Sequence, residues 1–171
     1  MTMQTDVKAG HLNSSGAIYT GRARVKAITS VASGTAGTVN IWDTLAAPVA
    51  ATYARAGNTI TVTLAAHGFA VGQTVGISFA AASGVSATSG NYVIQSSGFT
   101  SGAFTLIDIN SGTIAAGTGC TVTGTGFFLT SFDTPGTSSM TNTLLPGEGM
   151  LARSGIYVTM SNQTGITIYY G

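Results

Sequence analysis

The sequence predicts an all-β protein, an antiparallel β-sandwich of jelly-roll-like type that hosts a second, small inserted β-domain. Three observations carry this. Apolar and polar residues alternate with a period of two in segment after segment, the pattern of half-buried strands. Clusters of Gly, Ser, Asn and Pro separate those segments. The alternation of the opening segments resumes after residue 126, past a block with its own alternation and almost no ionised side chain. The host is expected to comprise residues 1–52 and 127–171, with residues 1–15 as an N-terminal arm, and the inserted domain residues 53–126.

Residues 1–15 are polar and aperiodic, which suggests an arm ordered only against a neighbour. Residues 16–20 and 21–31 read as one long or two short strands, and Thr38–Leu45 as the next, with Val39 and Ile41 on one side. Residues 46–56 read as a break, because Pro48 interrupts pairing and alanine has little strand preference. Five short strands are then expected near residues 58–64, 74–79, 90–95, 103–108 and 120–123. Phe127–Phe132 resumes the host, and Asp133-Thr134-Pro135-Gly136 has turn chemistry. Ile156, Val158 and Met160 in one closing segment, and Ile166, Ile168 and Tyr170 in the next, are expected to form a hairpin with one apolar face. Neither half of the host has enough strands for a sandwich; together they offer six or seven. The alanine-rich pieces lack an amphipathic stripe, so no helix is expected.

Charged residues make up 6% of the chain, against about a quarter in ordinary globular domains. A surface of Thr, Ser, Asn and Gly repels its own kind weakly, so partner subunits are expected to cover much of it. The net charge of +1 supplies no general attraction to nucleic acid or to anionic membrane, and neither is expected as a partner. The first residues lack a basic segment followed by an apolar one, so no secretory leader is expected. No apolar run is long enough for a spanning helix, and outward rows of Ala, Gly and Thr would make a poor lipid face for a barrel. Cys120 is the single cysteine, placed where a small buried apolar residue fits.

The closing pattern Leu145-Pro146-Gly147-Glu148-Gly149-Met150, Ile156-Tyr157-Val158-Thr159 and Gly165-Ile166-Thr167-Ile168-Tyr169-Tyr170-Gly171, with Gly34-Thr35-Ala36-Gly37-Thr38-Val39 and Phe132-Asp133-Thr134-Pro135 upstream, resembles small β-sandwich virion proteins of tailed bacteriophages. The inserted block, with Asn58-Thr59-Ile60-Thr61-Val62-Thr63, residues 66–75, Gly90-Asn91-Tyr92-Val93 and Phe104-Thr105-Leu106, resembles an accessory β-domain that recurs in phage structural and tail proteins. The resemblance covers most of the chain and consists of turn and strand residues without a catalytic signature. It implies a capsid decoration, or cement, protein that stabilises the head shell, often as a homotrimer. The partner would be the major capsid protein and the location the capsid surface of the virion, after assembly in the bacterial host cytoplasm. An inserted domain departs from a host that usually runs uninterrupted.

Catalytic constellations are thin. The acidic residues are Asp6, Asp43, Asp108, Asp133 and Glu148, most of them beside turn residues or strand ends, where solvated or turn-bonding roles are the expectation. Glycan cleavage would need two of them facing each other across a cleft. His11 and His67 stand far apart, no Gly-x-Ser-x-Gly elbow occurs, and Cys120 and the histidines lack paired-ligand spacing. No enzyme activity, cofactor or metal is therefore expected. His67, before Gly68, is read as a turn cap bonding a carbonyl.

Arg22, Arg24 and Lys26 are the sharpest interaction feature. On a strand they would share a face at roughly 7 Å spacing, a basic stripe able to dock on an acidic capsid surface or to pair with Asp43, Asp133 or Glu148. Tyr157, Tyr169 and Tyr170 are candidate interface anchors. The alternative function is a tail or head-fibre component whose inserted domain binds a receptor or glycan through Asn91, Tyr92 and Gln95.

Overall fold

The computed structural model describes residues 7–82 and 85–171. The start of the expected arm, including Asp6, lies outside the described residues. The chain forms strands β1 (Lys8–Leu12), β2 (Gly16–Thr20), β3 (Ala23–Ala32) and β4 (Gly37–Asp43). It continues with β5 (Val49–Ala56), β6 (Thr59–Thr63), β7 (Thr74–Phe79), β8 (Gly90–Val93), β9 (Ala103–Ile107) and β10 (Ile114–Thr123). The closing strands are β11 (Phe127–Thr134), β12 (Met140–Leu144), β13 (Met150–Ala152), β14 (Gly155–Ser161) and β15 (Gln163–Tyr170). Pro48–Phe128 form one compact unit, and the described residues up to Ala47 together with Leu129–Gly171 form the other.

The host unit is an antiparallel sandwich. One sheet runs β1-β15-β3-β12, with β13 also on β3, and the other runs β11-β4-β14-β2. Val25 and Ile28 of β3, Val39 and Ile41 of β4, Ile156 and Val158 of β14, and Ile166 and Ile168 of β15 fill a single core between the sheets. These are the inward positions of alternating strands, and burying them is the main favourable term in the fold.

Three expectations about the host change. Residues 8–12, read as part of a loose arm, are strand β1, in register with β15 from Lys8 opposite Tyr170 to Leu12 opposite Ile166. The last two strands do not form a hairpin: β14 pairs with β2 and β4, whereas β15 pairs with β1 and β3. Their apolar rows therefore face each other across the core. The switch occurs at Asn162, whose φ of 53° turns the chain sharply, a conformation asparagine tolerates better than most residues. β11 also runs to Thr134, so Asp133 stands on a strand and not in the turn.

The inserted unit is one antiparallel sheet, β8-β7-β10-β5-β6-β9. Its two ends meet where the Gln95 N–H donates to the Thr105 carbonyl at 3.0 Å, which curls the sheet toward a barrel and protects its edges. Ile60, Val62, Val75, Ile77, Phe104, Leu106 and Val122 point inside. The expected break at residues 46–56 is instead β5, a central strand between β10 and β6. Its alanines alternate with Tyr53 and Arg55, both buried, and partners on both sides override the weak intrinsic preference of alanine. Pro48 precedes the first strand residue, where a missing N–H costs nothing. β10 likewise starts at Ile114, well before the expected Cys120, across an irregularity in its register with β5.

Candidate functional site

Asp43 ends β4 and is buried. Its carboxylate accepts backbone N–H bonds from Arg153 at 2.9 Å, Ser154 at 2.7 Å and Gly155 at 3.3 Å. It holds the turn between β13 and β14, and among the described residues no ion pair joins it to the basic row. Trp42 beside it is fully buried, with Nε1 donating to Thr159 Oγ1 at 2.9 Å.

The basic row divides. Arg22 is exposed in the turn ahead of β3 and so does not share the strand face. Arg24 pairs with Glu148, Nη2 to Oε2 at 3.1 Å, and Lys26 Nζ donates to the Glu148 carbonyl at 2.8 Å. Two of the three expected docking cations thus lash the loop between β12 and β13 to the strand beneath it. The motif Leu145-Pro146-Gly147-Glu148-Gly149 has its reason here. The Leu145 N–H donates to the Lys26 carbonyl at 3.0 Å, and a Cβ on Gly149, whose φ is +77°, would lie 2.1 Å from the Val25 carbonyl oxygen. Only glycine permits both the conformation and the approach.

The tyrosines also divide. Tyr170 is in the host core, its ring 4.9 Å from that of Tyr19, so it is not available as an interface anchor. Tyr157 is half-buried opposite Trp42. Tyr169 is exposed on the outer face.

In the inserted unit Arg55 and Asp108 form an ion pair, Nη1 to Oδ2 at 2.7 Å, with both side chains fully buried. Arg55 also donates to the carbonyls of Gly112 at 3.3 Å, Ser86 at 3.3 Å and Val85. The sequence reading missed this pair, since neither residue carries a motif and 53 positions separate them. The available signal was scarcity: Asp108 is the lone charge between residues 57 and 126, and a buried charge needs a partner.

His67 is a turn cap. Its Nδ1 accepts the Phe69 N–H at 3.0 Å and its Nε2 donates to the Thr100 carbonyl at 2.8 Å, which fixes the neutral tautomer protonated at Nε2. His11 bridges Thr167 Oγ1 and Asn13 Oδ1. Burial pushes the Cys120 thiol up to about 12. Among the described residues no group of three or more His, Cys, Asp or Glu side chains is placed to hold a metal ion.

Asn91, Tyr92 and Gln95 do come together, lining an open depression of about 430 Å³ with Thr88, Ser89, Val93, Ile107 and Ile109. Their polar atoms are largely engaged within the chain. Asn91 clamps the backbone of Phe128, with Nδ2 donating to the carbonyl at 3.0 Å and Oδ1 accepting the N–H at 2.8 Å. A Cβ on the facing Gly76 would lie 2.6 Å from Phe128 N, so that clamp also needs the glycine. The Tyr92 hydroxyl donates to the Thr88 carbonyl, and Gln95 Nε2 donates to the Val93 carbonyl at 2.9 Å. Burial, with the Asp108 charge adding to it, pushes the Tyr92 hydroxyl up to about 12. The depression offers solvent polar and apolar surface in similar measure, with Val93, Ile107 and Ile109 exposed beside Thr88 and Asn91.

No family model matches the chain. No curated protein matches it either. Among solved structures it is similar to the Phage phi92 endosialidase, at 26% identity and a TM-score of 0.31 over 58% of this chain. The similar region covers 14% of that protein's chain, and a superposition of that quality establishes no common fold.

Proposed function

We propose that the chain is a structural subunit of a tailed-phage particle, a decoration protein that binds the major capsid protein and clamps neighbouring capsomers of the head shell. The observation that supports this reading is how the potent groups are used. Asp43, Arg55, Asp108, His67, Asn91 and the Arg24–Glu148 pair are all engaged in holding the fold. What remains for a partner is a hydroxyl-rich surface of low charge with exposed apolar residues. Such a surface suits many modest contacts repeated over a symmetric assembly.

The test is copy number and rebinding. Quantitative mass spectrometry of purified particles should give the chain on the order of hundreds of copies, as repetition over a shell requires, and purified chain should rebind heads that lack it. About a dozen copies, or binding to cells in place of heads, would replace this reading with the fibre alternative.

A further inference from the structure

We propose that β12 is an open sheet edge on which a second copy of this chain pairs antiparallel, across a two-fold axis at Asn142. β12 ends its sheet, with β3 on one side. The Ala32 N–H donates to the Ser139 carbonyl at 2.9 Å, and the Leu145 N–H to the Lys26 carbonyl at 3.0 Å. Between them Thr141 is opposite Ser30 and Thr143 opposite Ile28. Residues that bond to one neighbour recur at every second position of an antiparallel ladder. Ser139, Thr141, Thr143 and Leu145 therefore face β3, while Met140, Asn142 and Leu144 turn their backbone N–H and C=O groups to the open side.

Natural edges are usually guarded by lysine, proline or a bulge. The opposite edge of this sheet, β1, begins with Lys8. β12 reads Met-Thr-Asn-Thr-Leu, with no guard, and Met140 and Leu144 are 65% and 83% exposed.

The strand is complementary to itself. With the axis at Asn142, that residue faces the partner's Asn142, Met140 faces the partner's Leu144, and Thr141 faces the partner's Thr143. Every outward backbone group then meets an outward group, and apolar meets apolar. A shift of one residue sets outward groups against inward ones. A shift of two keeps the bonding parity but sets a polar amide against an apolar side chain. Asn142 Oδ1 already accepts from Thr29 Oγ1 at 2.6 Å, which leaves its amide nitrogen to donate across the axis. Val31 lies opposite Met140, and Ala27 lies between Leu144 and Tyr169, so joining two sheets also joins two apolar outer strips. With a net charge of +1, two copies repel each other little.

This contact stands on the fold alone, whatever particle the chain belongs to. It is also distinct from the three-fold assembly that the resemblance implies, because a strand paired with its own copy requires a two-fold axis.

Sedimentation of the full chain over a range of concentrations tests it. The expected result is a monomer–dimer equilibrium. Met140→Lys with Leu144→Lys places like charges opposite each other at both ends and should weaken the dimer on the order of tenfold or more. Met140→Lys with Leu144→Glu places opposite charges there and should restore it, which only this register explains. Asn142→Pro, which removes a backbone N–H facing outward, should also weaken it. Ile109→Lys in the inserted unit should leave it unchanged. Trp42 fluorescence verifies folding of the host unit in each variant. A monomer at all concentrations, a trimer or dimer indifferent to the two lysines, or a Lys/Glu variant as weak as the Lys/Lys variant would overturn the proposal.

Discussion

Removing Arg55 probes the inserted unit at its most expensive point. In Arg55→Met the apolar stem is roughly replaced, but the Asp108 carboxylate loses its cation in a fully buried position. Breaking a buried ion pair from one side costs about 3–5 kcal/mol, because the surviving charge is left desolvated. The carbonyls of Gly112, Ser86 and Val85 lose their donor as well, so the cost should reach the upper part of that range. A unit of about 80 residues has roughly 4–12 kcal/mol in total, so the loss takes a large fraction of that margin and the unit should unfold far more often in the variant. Amide hydrogen exchange reads the two units separately: protection at Ile60, Val62 and Leu106 should collapse. Trp42, the single tryptophan, lies in the host unit and reports its unfolding by fluorescence. Arg55→Met combined with Asp108→Leu should recover most of the loss, since an apolar replacement of the whole pair leaves no orphaned charge. A single substitution costing under about 1 kcal/mol, the range of exposed pairs, would refute the reasoning from desolvation.

Further predictions concern other parts of the molecule. Asp43→Ala strands the backbone N–H groups of Arg153, Ser154 and Gly155 and should lower host stability by about 3 kcal/mol, read as a shift of the urea midpoint in Trp42 fluorescence. Gly149→Ala and Gly147→Ala both place alanine at positive φ, but only position 149 meets backbone, at 2.1 Å; position 147 should cost about 1–2 kcal/mol and position 149 clearly more, by the same assay. Cys120 should resist thiol reagents at pH 8 until the inserted unit unfolds. With its thiol pushed up to about 12, the folded state keeps a proton that the unfolded chain releases above its ordinary value near 9. Stability should therefore fall as pH rises from about 9 toward 12, and Cys120→Ala should flatten that fall in a series of urea titrations.

Strands such as β4, β6, β7, β9, β14 and β15 were legible because each turns an apolar row to a core, and such a row writes a period of two into the residues. Turns were legible where backbone conformation restricts the residue, as at Gly147 and Gly149. β5 was not legible: Val49–Ala56 has little strand preference of its own and is held by β6 and β10, partners brought to it by the fold. The candidate residues fared in the same way. Asn91, Tyr92 and Gln95 are near neighbours in sequence, and their convergence at the depression could be anticipated. Arg24 and Lys26 were readable either as docking cations or as partners of Asp43, Asp133 or Glu148, and only the fold, by returning the Glu148 loop to them, selected Glu148.

The sequence by itself determined the all-β class, the strand faces and the scarcity of charge, since these follow from local periodicity and composition. Tertiary structure alone decided which sheet each strand joins. The alternation of β14 and β15 would look the same in a hairpin, and only pairing with β2 and β4 on one side and β1 and β3 on the other sets them across the core. It also decided which polar groups are spent, because a hydrogen bond or ion pair between residues a hundred positions apart depends on a meeting that no local pattern encodes.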